Sequence, residues 1–333
     1  MEAANIQVNF FQHIKSLLPP HLSFVDEIAE LLHISNDSAY RRIRGDKPIA
    51  FEELQVLCSH FKVSLDQFLH LRSDSIVFNG RLTDNETFTF NEYLKGVLDL
   101  LNLFNSFTHR EMIYLTKDIP FFHHCLFPEL ASFKFFLWRK SVLHDQHLAR
   151  KPFSCSEIEH EVADLISRIA AAYMILPSQE IWNIESINST LRQIDYYRTT
   201  HAFASPSDLR RLLECLEQVI DHLEQEAELG YKFFPGDTKK VPRAPFKLYV
   251  NEFILGDNSI HVLMNGSAIS FLNHSVMNYV GTRDPVFTAY MHQHMTNLMR
   301  KSTMISEVSE KERSRFFNLT REKINSRKTA LLH

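Results

Sequence analysis

The segment from residue 25 to residue 45 constrains the fold more than any other part of this chain of 333 residues. Its first half places apolar side chains at helical spacing, and Ser35 then stands where a second helix can begin. In that second helix Ala39 and Ile43 point inward, while an arginine-rich polar face points outward. The apolar face of the first helix comprises Val25, Ile28, Ala29, Leu31 and Leu32. The segment predicts two short helices joined by a tight turn.

Helices are also predicted on both sides of this pair. Asn5 to Leu18 has apolar residues at helical spacing and stops at Pro19-Pro20. Phe51 to Phe61 repeats that spacing, and the run from Ser64 to Gln67 is a capping box that opens a last short helix. Five helices result, so the N-terminal part is predicted to be all-α.

The run IAELLHIS, followed by IRG and by FEELQVLCSHFKVSLDQFL, resembles the Cro/CI-type (XRE) helix-turn-helix domain of bacterial and phage repressors. The resemblance covers residues 6 to 70 and implies an all-α five-helix helix-turn-helix domain over residues 1–72 that binds double-stranded DNA. His33 stands where the family usually has a turn glycine, which requires a positive φ or a slightly different turn. Arg42 stands where a buried aliphatic residue is common, and Ile43 is expected to take over that packing role.

The resemblance makes the second helix of the pair a recognition helix, whose first residues and outward face enter the major groove. Arg41 suits guanine, Asn36 suits adenine, and Asp37 either accepts from cytosine or pairs with Arg41. The residues predicted to contact base edges are Asn36, Asp37, Tyr40 and Arg41. The residues predicted to contact phosphates, by charge or at helix starts, are Ser23, Ser35, Arg42, Arg44 and Lys47.

Net charge argues against DNA binding, because residues 1–75 hold seven Lys and Arg against ten Asp and Glu, a net of −3. The distribution of these charges weakens the objection. Four of the seven cations lie at the recognition helix and its exit, so the field there can be positive while the opposite surface is acidic. Weak non-specific affinity is the expected consequence. A helical hairpin with a solvated basic end is the alternative.

Composition limits the other function classes. The length suits two or three domains, and 44% apolar residues support a substantial core. No run approaches the roughly 18 apolar residues of a membrane span and no signal-peptide order opens the chain, so a cytoplasmic protein is expected. The eight glycines form no phosphate-binding loop, and the four cysteines form no C-x-x-C pair. We therefore expect no cofactor, no metal and reduced, packed cysteines.

Beyond residue 72 the pattern changes to a mixed α/β (α+β) domain over residues 75–333, with a possible subdomain boundary near 231–245. Asn91 and Ser156 are predicted to cap helices, and Ser205 and Gly230 to bound a long one. Strands are predicted at 76–82, 88–90 and 112–115 and, as an antiparallel set, at 247–254, 260–264 and 268–272; helices are predicted at 91–104, 157–176, 184–197, 206–230, 285–301 and 307–327.

No residue is predicted to be catalytic. The run 123–125 (HHC), taken as part of a strand, would point to opposite faces, and the run 144–147 (HDQH) lacks a second pair at metal-site spacing. His292 and His294 lie about 200° apart on a helix and cannot share an ion. The Phe-rich run 121–138 favours core packing, with an apolar effector pocket as the alternative.

A homodimer is expected, because one recognition helix covers too few base pairs and a two-fold pair reads half-sites roughly 34 Å apart. The candidate seam is a stripe with 3-4-3-4 spacing on the long helix. Ordinary packing inside the C-terminal domain is the alternative, since Leu213 and Ile220 widen the stripe. The stripe comprises Leu209, Leu212, Leu216, Val219 and Leu223.

These features favour a cytoplasmic bacterial transcriptional regulator that is not an enzyme. Its N-terminal domain would read a short operator, and its C-terminal domain would dimerise and sense a small-molecule or protein effector, without a membrane partner. One alternative is an enzyme of unknown activity with an appended DNA-binding module, although the sequence offers no acid–base pair or nucleophile at convincing spacing. The other is an antitoxin-like interaction protein, against which the length of the chain argues.

Overall fold

The computed structural model describes residues 6–19, 21–69, 76–80, 89–253 and 256–329. It combines a group of N-terminal helices with a seven-stranded mixed sheet flanked by further helices. The predicted combination of helical and mixed α/β structure is therefore confirmed. The predicted domain limits at residues 72 and 75 lie outside the described residues.

The N-terminal helices surround a hydrophobic cluster of their own, separate from the core at the sheet. Ala39 and Ile28 are fully buried in this cluster, as the spacing predicts. Local signals set the helix ends, since Ser35 caps the third helix and the fourth ends at Lys62 with a left-handed backbone, φ 54°. The helices are α1 (Ile6–Leu17), α2 (Phe24–Leu31), α3 (Asn36–Ile43), α4 (Phe51–Phe61) and α5 (Leu65–Phe68).

The sheet has the order β6-β5-β4-β1-β2-β3-β7. Its central strands β1, β2 and β3 are parallel, and every other neighbouring pair is antiparallel. The strands are β1 (Arg110–Leu115), β2 (Ser178–Trp182), β3 (Phe246–Val250), β4 (Ser259–Met264), β5 (Ser267–Asn273), β6 (Tyr279–Thr282) and β7 (Thr303–Met304).

The prediction of one antiparallel set from 247 to 272 is wrong. β3 follows a helical crossover and lies parallel to β2, whereas β4 pairs with β1 on the opposite side of the sheet. The antiparallel meander instead runs from β4 through β5 to β6. The strand predicted at 76–82 is reduced, over 76–80, to a single bridge between Asn79 and Gly281, and residues 81–88 lie outside the described residues.

The helices of the C-terminal part are α6 (Phe90–Asn105), α7 (Phe121–Cys125), α8 (Pro128–Leu137), α9 (His160–Met174), α10 (Asn188–Thr199), α11 (Pro206–Leu229), α12 (Pro285–Arg300) and α13 (Glu310–Thr329), with a π-helix at Trp138–Val142. Two predicted caps are wrong. The side chain of Thr89, not Asn91, caps α6, and α9 begins at His160 rather than after Ser156. Ser205 and Gly230 bound α11 as predicted.

Helices cover both faces of the sheet. The larger core joins one face to helices that include α6, α9 and α11. On the opposite face α12 inserts Met291 and Met295 against Ile113 and Ile181 of the parallel strands. None of the described helices is long and apolar enough to cross a membrane.

The apolar stripe on α11 belongs to the core of the chain itself. All five of its residues are at most 6% exposed, and the helix packs against α13, α8 and β3. The predicted seam between two copies is therefore wrong, because these side chains already have intramolecular partners. The alternative of ordinary packing is confirmed.

A sealed polar cluster lies beneath the sheet, around Glu180 of β2. Its carboxylate is 3.0 Å from His123 Nε2 and accepts hydrogen bonds from Trp182 Nε1, at 2.7 Å, and from the Tyr173 hydroxyl. Lys232 donates to the carbonyl oxygens of Tyr173 and Leu176 at 3.0 and 2.8 Å. Burial lowers the pKa of Lys232 to about 7. All these side chains are buried, so the cluster has no access to solvent.

The run 123–125 is helical, in α7, and not part of a strand as the sequence suggested. His123 faces Glu180, while His124 Nε2 lies 3.5 Å from the Thr190 hydroxyl. In the part of the chain that the structure describes, no group of three or more His, Cys, Asp and Glu side chains is arranged to hold a metal ion. The four cysteines are free thiols, two buried and two half-buried.

Candidate nucleic-acid interface

The turn between α2 and α3 is closed by backbone hydrogen bonds. Leu32 and Ile34 donate to the carbonyl oxygens of Ile28 and Ala29 at 3.1 and 3.0 Å. His33 has φ 52°, so the first of the two turn geometries left open by the sequence is adopted. The Ser35 hydroxyl then accepts from the Ser38 amide at 3.3 Å and starts α3. The small side chains of Ala29 and Ala39 are buried, which suits a close crossing of the two helices.

The four residues predicted to contact bases all lie on the exposed side of α3. Asn36, Asp37, Tyr40 and Arg41 are exposed, whereas Ala39 between them is fully buried. The Asn36 amide donates to Asp26 Oδ1 of α2 at 2.8 Å, which orients its side chain at the start of α3. One helix thus presents an amide, a carboxylate, a phenol and a guanidinium together. These groups provide both the donors and the acceptors that base edges require.

Arg42 lies in the interior of the N-terminal helices. The prediction that it contacts a phosphate is therefore wrong. Its side chain is 7% exposed, and its guanidinium binds both Glu53 carboxylate oxygens, at 2.5 and 2.9 Å. A third hydrogen bond runs to the Ser38 carbonyl oxygen at 3.1 Å. These bonds use three of the five N–H donors of Arg42, and its burial keeps the guanidinium away from a phosphate at the surface. Arg42 itself fills the buried position that Ile43 was expected to take, and Ile43 beside it is half-buried.

Glu53 offsets the free-energy cost of burying the charge of Arg42. The hydrogen bond from Arg42 holds the pKa of Glu53 below its usual range. The same carboxylate accepts the Ala50 amide at 3.0 Å and so caps α4. An ion pair and a cap thus link α3 to the start of α4. The capping role leaves a trace in the sequence, since Glu53 stands three residues after Ala50.

Gln7 of α1 is a second positioning residue that the sequence did not reveal. Its amide donates to the carbonyl oxygens of Arg42 and Lys47, each at 2.7 Å, and accepts the Ile49 amide at 3.0 Å. One side chain therefore holds the segment that leaves α3. No periodicity marks a glutamine for this role, because its partners are backbone groups some forty positions away.

The remaining residues predicted to contact phosphates border the exposed face of α3. Ser23 and Ser35 precede α2 and α3, so exposed hydroxyls and helix-start amides lie there together. Arg44 lies at the end of α3 with its guanidinium 5.7 Å from the centre of the Tyr40 ring, and Lys47 is exposed after it. The 3.8 Å pair between Arg44 and Asp46 joins two exposed groups and is weak.

A groove of about 610 Å³ opens beside this surface, between α1, the start of α2 and the end of α3. Lys15, Ser23, Tyr40 and Arg44 line it. Lys15 was not among the predicted contacts, although a basic residue in the last turn of a helix is visible in the sequence. Arg42 is buried and does not contribute to this surface, whose cations are Arg41, Arg44, Lys47 and Lys15.

Comparisons of the chain with protein-family models, with curated proteins and with solved structures find no match.

Proposed function

We propose that this protein is a sequence-specific DNA-binding transcriptional regulator, in which residues 1–72 form a five-helix helix-turn-helix domain and α3 enters the major groove. The observation that carries the proposal is the division of α3 into two faces. Ala39 and Arg42 lie inward and are fixed by packing and by Glu53, whereas Asn36, Asp37, Tyr40 and Arg41 are exposed. A rigidly held helix with exposed polar groups on one face suits base-edge contact.

The phosphate contacts in this proposal come from Ser23, Ser35, Arg44 and Lys47, without Arg42. The hydroxyls and amides lie at helix starts and the cations at the exit of α3, so they flank the base-reading face on both sides. With few exposed cations, the electrostatic share of the affinity should be small and direct base contacts correspondingly important.

The test is a selection of the full chain on a pool of randomised DNA duplexes. A short enriched motif, bound more tightly than scrambled DNA of the same length at equal salt, supports sequence-specific recognition. A double variant of the exposed face, Asn36→Ala with Arg41→Ala, should lose that enrichment while it remains folded. No enriched motif with well-folded wild-type protein would contradict the proposal.

The regulator is further proposed to act as a homodimer, because one recognition helix covers too few base pairs for useful specificity. The interface lies elsewhere than on the buried stripe of α11. Sedimentation of the full chain should give the mass of two copies, with and without the selected duplex, and the motif should be a two-fold repeat. A chain that stays monomeric at micromolar concentration in both conditions would contradict this part of the proposal.

A further inference from the structure

A cavity of about 270 Å³ lies in the C-terminal part, where α8 passes into the π-helix and meets the start of α9. In the π-helix the Leu143 amide donates to the Trp138 carbonyl oxygen, at 2.9 Å, five residues earlier. Such insertions distort a helix at some cost and are frequent at functional sites. The cavity is therefore a candidate for ligand binding, at a distance in sequence from α3.

The floor of the cavity is aromatic and apolar. Phe90, Phe135 and Phe153 line it and are at most 8% exposed, and Leu148 and Val162 complete it with similar burial. An apolar group that enters this space leaves water and meets ring faces and edges. The floor thus selects for an aromatic or aliphatic side chain of modest size, since 270 Å³ lies just below the usual range for ligand pockets.

The mouth of the cavity carries charges of both signs. Arg139 and Lys151 provide the cations, and Glu157 and Glu159 provide the anions. Arg139 pairs with Glu159 at 2.8 Å, and Lys151 pairs with Glu157 at 2.5 Å. Two cations and two carboxylates line the mouth, so a ligand meets groups of both signs there.

The pair between Arg139 and Glu159 is arranged to exchange partners. Asp145 holds the other side of the Arg139 guanidinium, at 2.9 and 3.1 Å, so Arg139 stays in place when Glu159 leaves. The Glu159 side chain is 63% exposed, and ion pairs at that exposure contribute little. A ligand carboxylate can bind the Nη1 of Arg139, while its ammonium group binds the released Glu159. One ion pair is lost and two are formed.

We propose that this cavity binds a small zwitterion with an apolar side chain, an aromatic or aliphatic α-amino acid, with the side chain on the phenylalanine floor and the charged groups between Arg139 and Glu159. The proposal names a ligand for the effector sensing expected from the sequence for the C-terminal domain of such a regulator, but the binding step involves no DNA. Failure of DNA recognition by α3 would leave it standing, and its own failure would leave DNA recognition standing.

The test is calorimetric titration of the full chain, without DNA, with four probes: L-phenylalanine, phenylacetate, phenethylamine and glycine. The range should extend to about 10 mM, because a ligand of roughly a dozen non-hydrogen atoms binds in the micromolar to millimolar range. L-Phenylalanine should bind at least about tenfold more tightly than each analogue that lacks one charge or the ring. Absence of binding by L-phenylalanine, or equal binding by phenylacetate, would overturn the proposal.

Glu159→Gln tests the mouth with a matched control. The variant should weaken L-phenylalanine about tenfold, because the ammonium contact is lost, and it should not weaken phenylacetate, which makes no ammonium contact and no longer competes with Glu159 for Arg139. Glu161→Gln makes the same change two residues further on, at a side chain that is 57% exposed and pairs with Lys95 outside the cavity. It should change neither affinity. Equal L-phenylalanine affinity in both variants and the wild type would overturn the assignment of the ammonium group to Glu159.

Discussion

The N-terminal helices and the layers around the sheet differ in whether their polar side chains are exposed or buried. On α3 the amide, carboxylate and guanidinium groups remain exposed, and only Arg42 is buried, with Glu53 as its partner. Around the sheet Glu180 and Lys232 are sealed in the core with their hydrogen bonds made by the protein. Buried polar groups are committed to their own partners, whereas exposed ones are available to a ligand. The contrast supports the proposal that α3 recognises DNA and indicates a structural role for the buried cluster.

The largest expected effect is the loss of Glu180. Glu180→Ala leaves the hydrogen-bonding groups of His123, Trp182 and Tyr173 without their acceptor, and it should lower the free energy of unfolding by about 3–5 kcal/mol. Urea unfolding of the full chain, followed by circular dichroism, measures this. Glu161→Ala, at an exposed carboxylate, should cost less than about 0.5 kcal/mol. Similar small losses in both variants would show that the cluster does not stabilise the core.

The pH dependence of stability is a second test of the contrast between buried and exposed polar groups. The folded protein holds Lys232 with a pKa of about 7, against 10.5 in a solvated chain. Between these values the unfolded chain binds more protons, so the Lys232 contribution rises with pH from 7 upward and falls as pH drops toward 7. The slope is at most about 1.4 kcal/mol per pH unit.

Lys232→Met should remove this slope. The comparison runs from pH 7 to 9, and the titration of buried groups such as Cys125, whose pKa burial raises, is common to both proteins and cancels in their difference. Unfolding free energies in urea across that window provide the measurement. Parallel curves for the two proteins would show that Lys232 stays charged when buried.

The sequence predicted the N-terminal helices well because their signals are local. Ser35 as a cap, the burial of Ala39 and the limits of α4 follow from neighbours within a few positions. The burial of Arg42 did not follow, since it depends on Glu53 eleven residues away and on the geometry of the α3 to α4 connection. Charge alone suggested a phosphate contact that the packing rules out.

Around the sheet the missing information is long-range. Helical spacing identifies α11 but does not say whether its apolar stripe faces another copy or the core of its own chain. Likewise β3 and β4 are neighbours in sequence, but β1 and β2 lie between them in the sheet. The cavity at the π-helix is lined by Phe135 and Phe136 from the Phe-rich run, although most of that run lies in the core. Only contacts between parts of the chain that are distant in sequence decide between these alternatives.

Arg42 and Arg44 offer a smaller and more specific comparison between a buried and an exposed arginine. Arg42→Ala should lower the free energy of unfolding by about 1–2 kcal/mol, because Glu53 loses its partner in a partly exposed setting. It should leave the slope of log affinity for DNA against log salt unchanged.

Arg44→Ala should behave in the opposite way. Its side chain is 63% exposed, so stability should hardly change, while the salt slope should fall by about 0.9 per subunit for one lost phosphate contact. Anisotropy titrations of a labelled duplex at several salt concentrations measure both variants. A reduced slope in Arg42→Ala with an unchanged slope in Arg44→Ala would reverse the assignment of the two residues.

The most direct test of base recognition by α3 is a randomised-duplex selection with wild type and Arg41→Ala in parallel. Arg41 is exposed on the outward face of α3, so its loss should cost about 1–3 kcal/mol on the selected site and relax the preference at one base pair, leaving the other positions intact. Identical motifs from both proteins, with equal affinities, would contradict the claim that α3 reads the sequence.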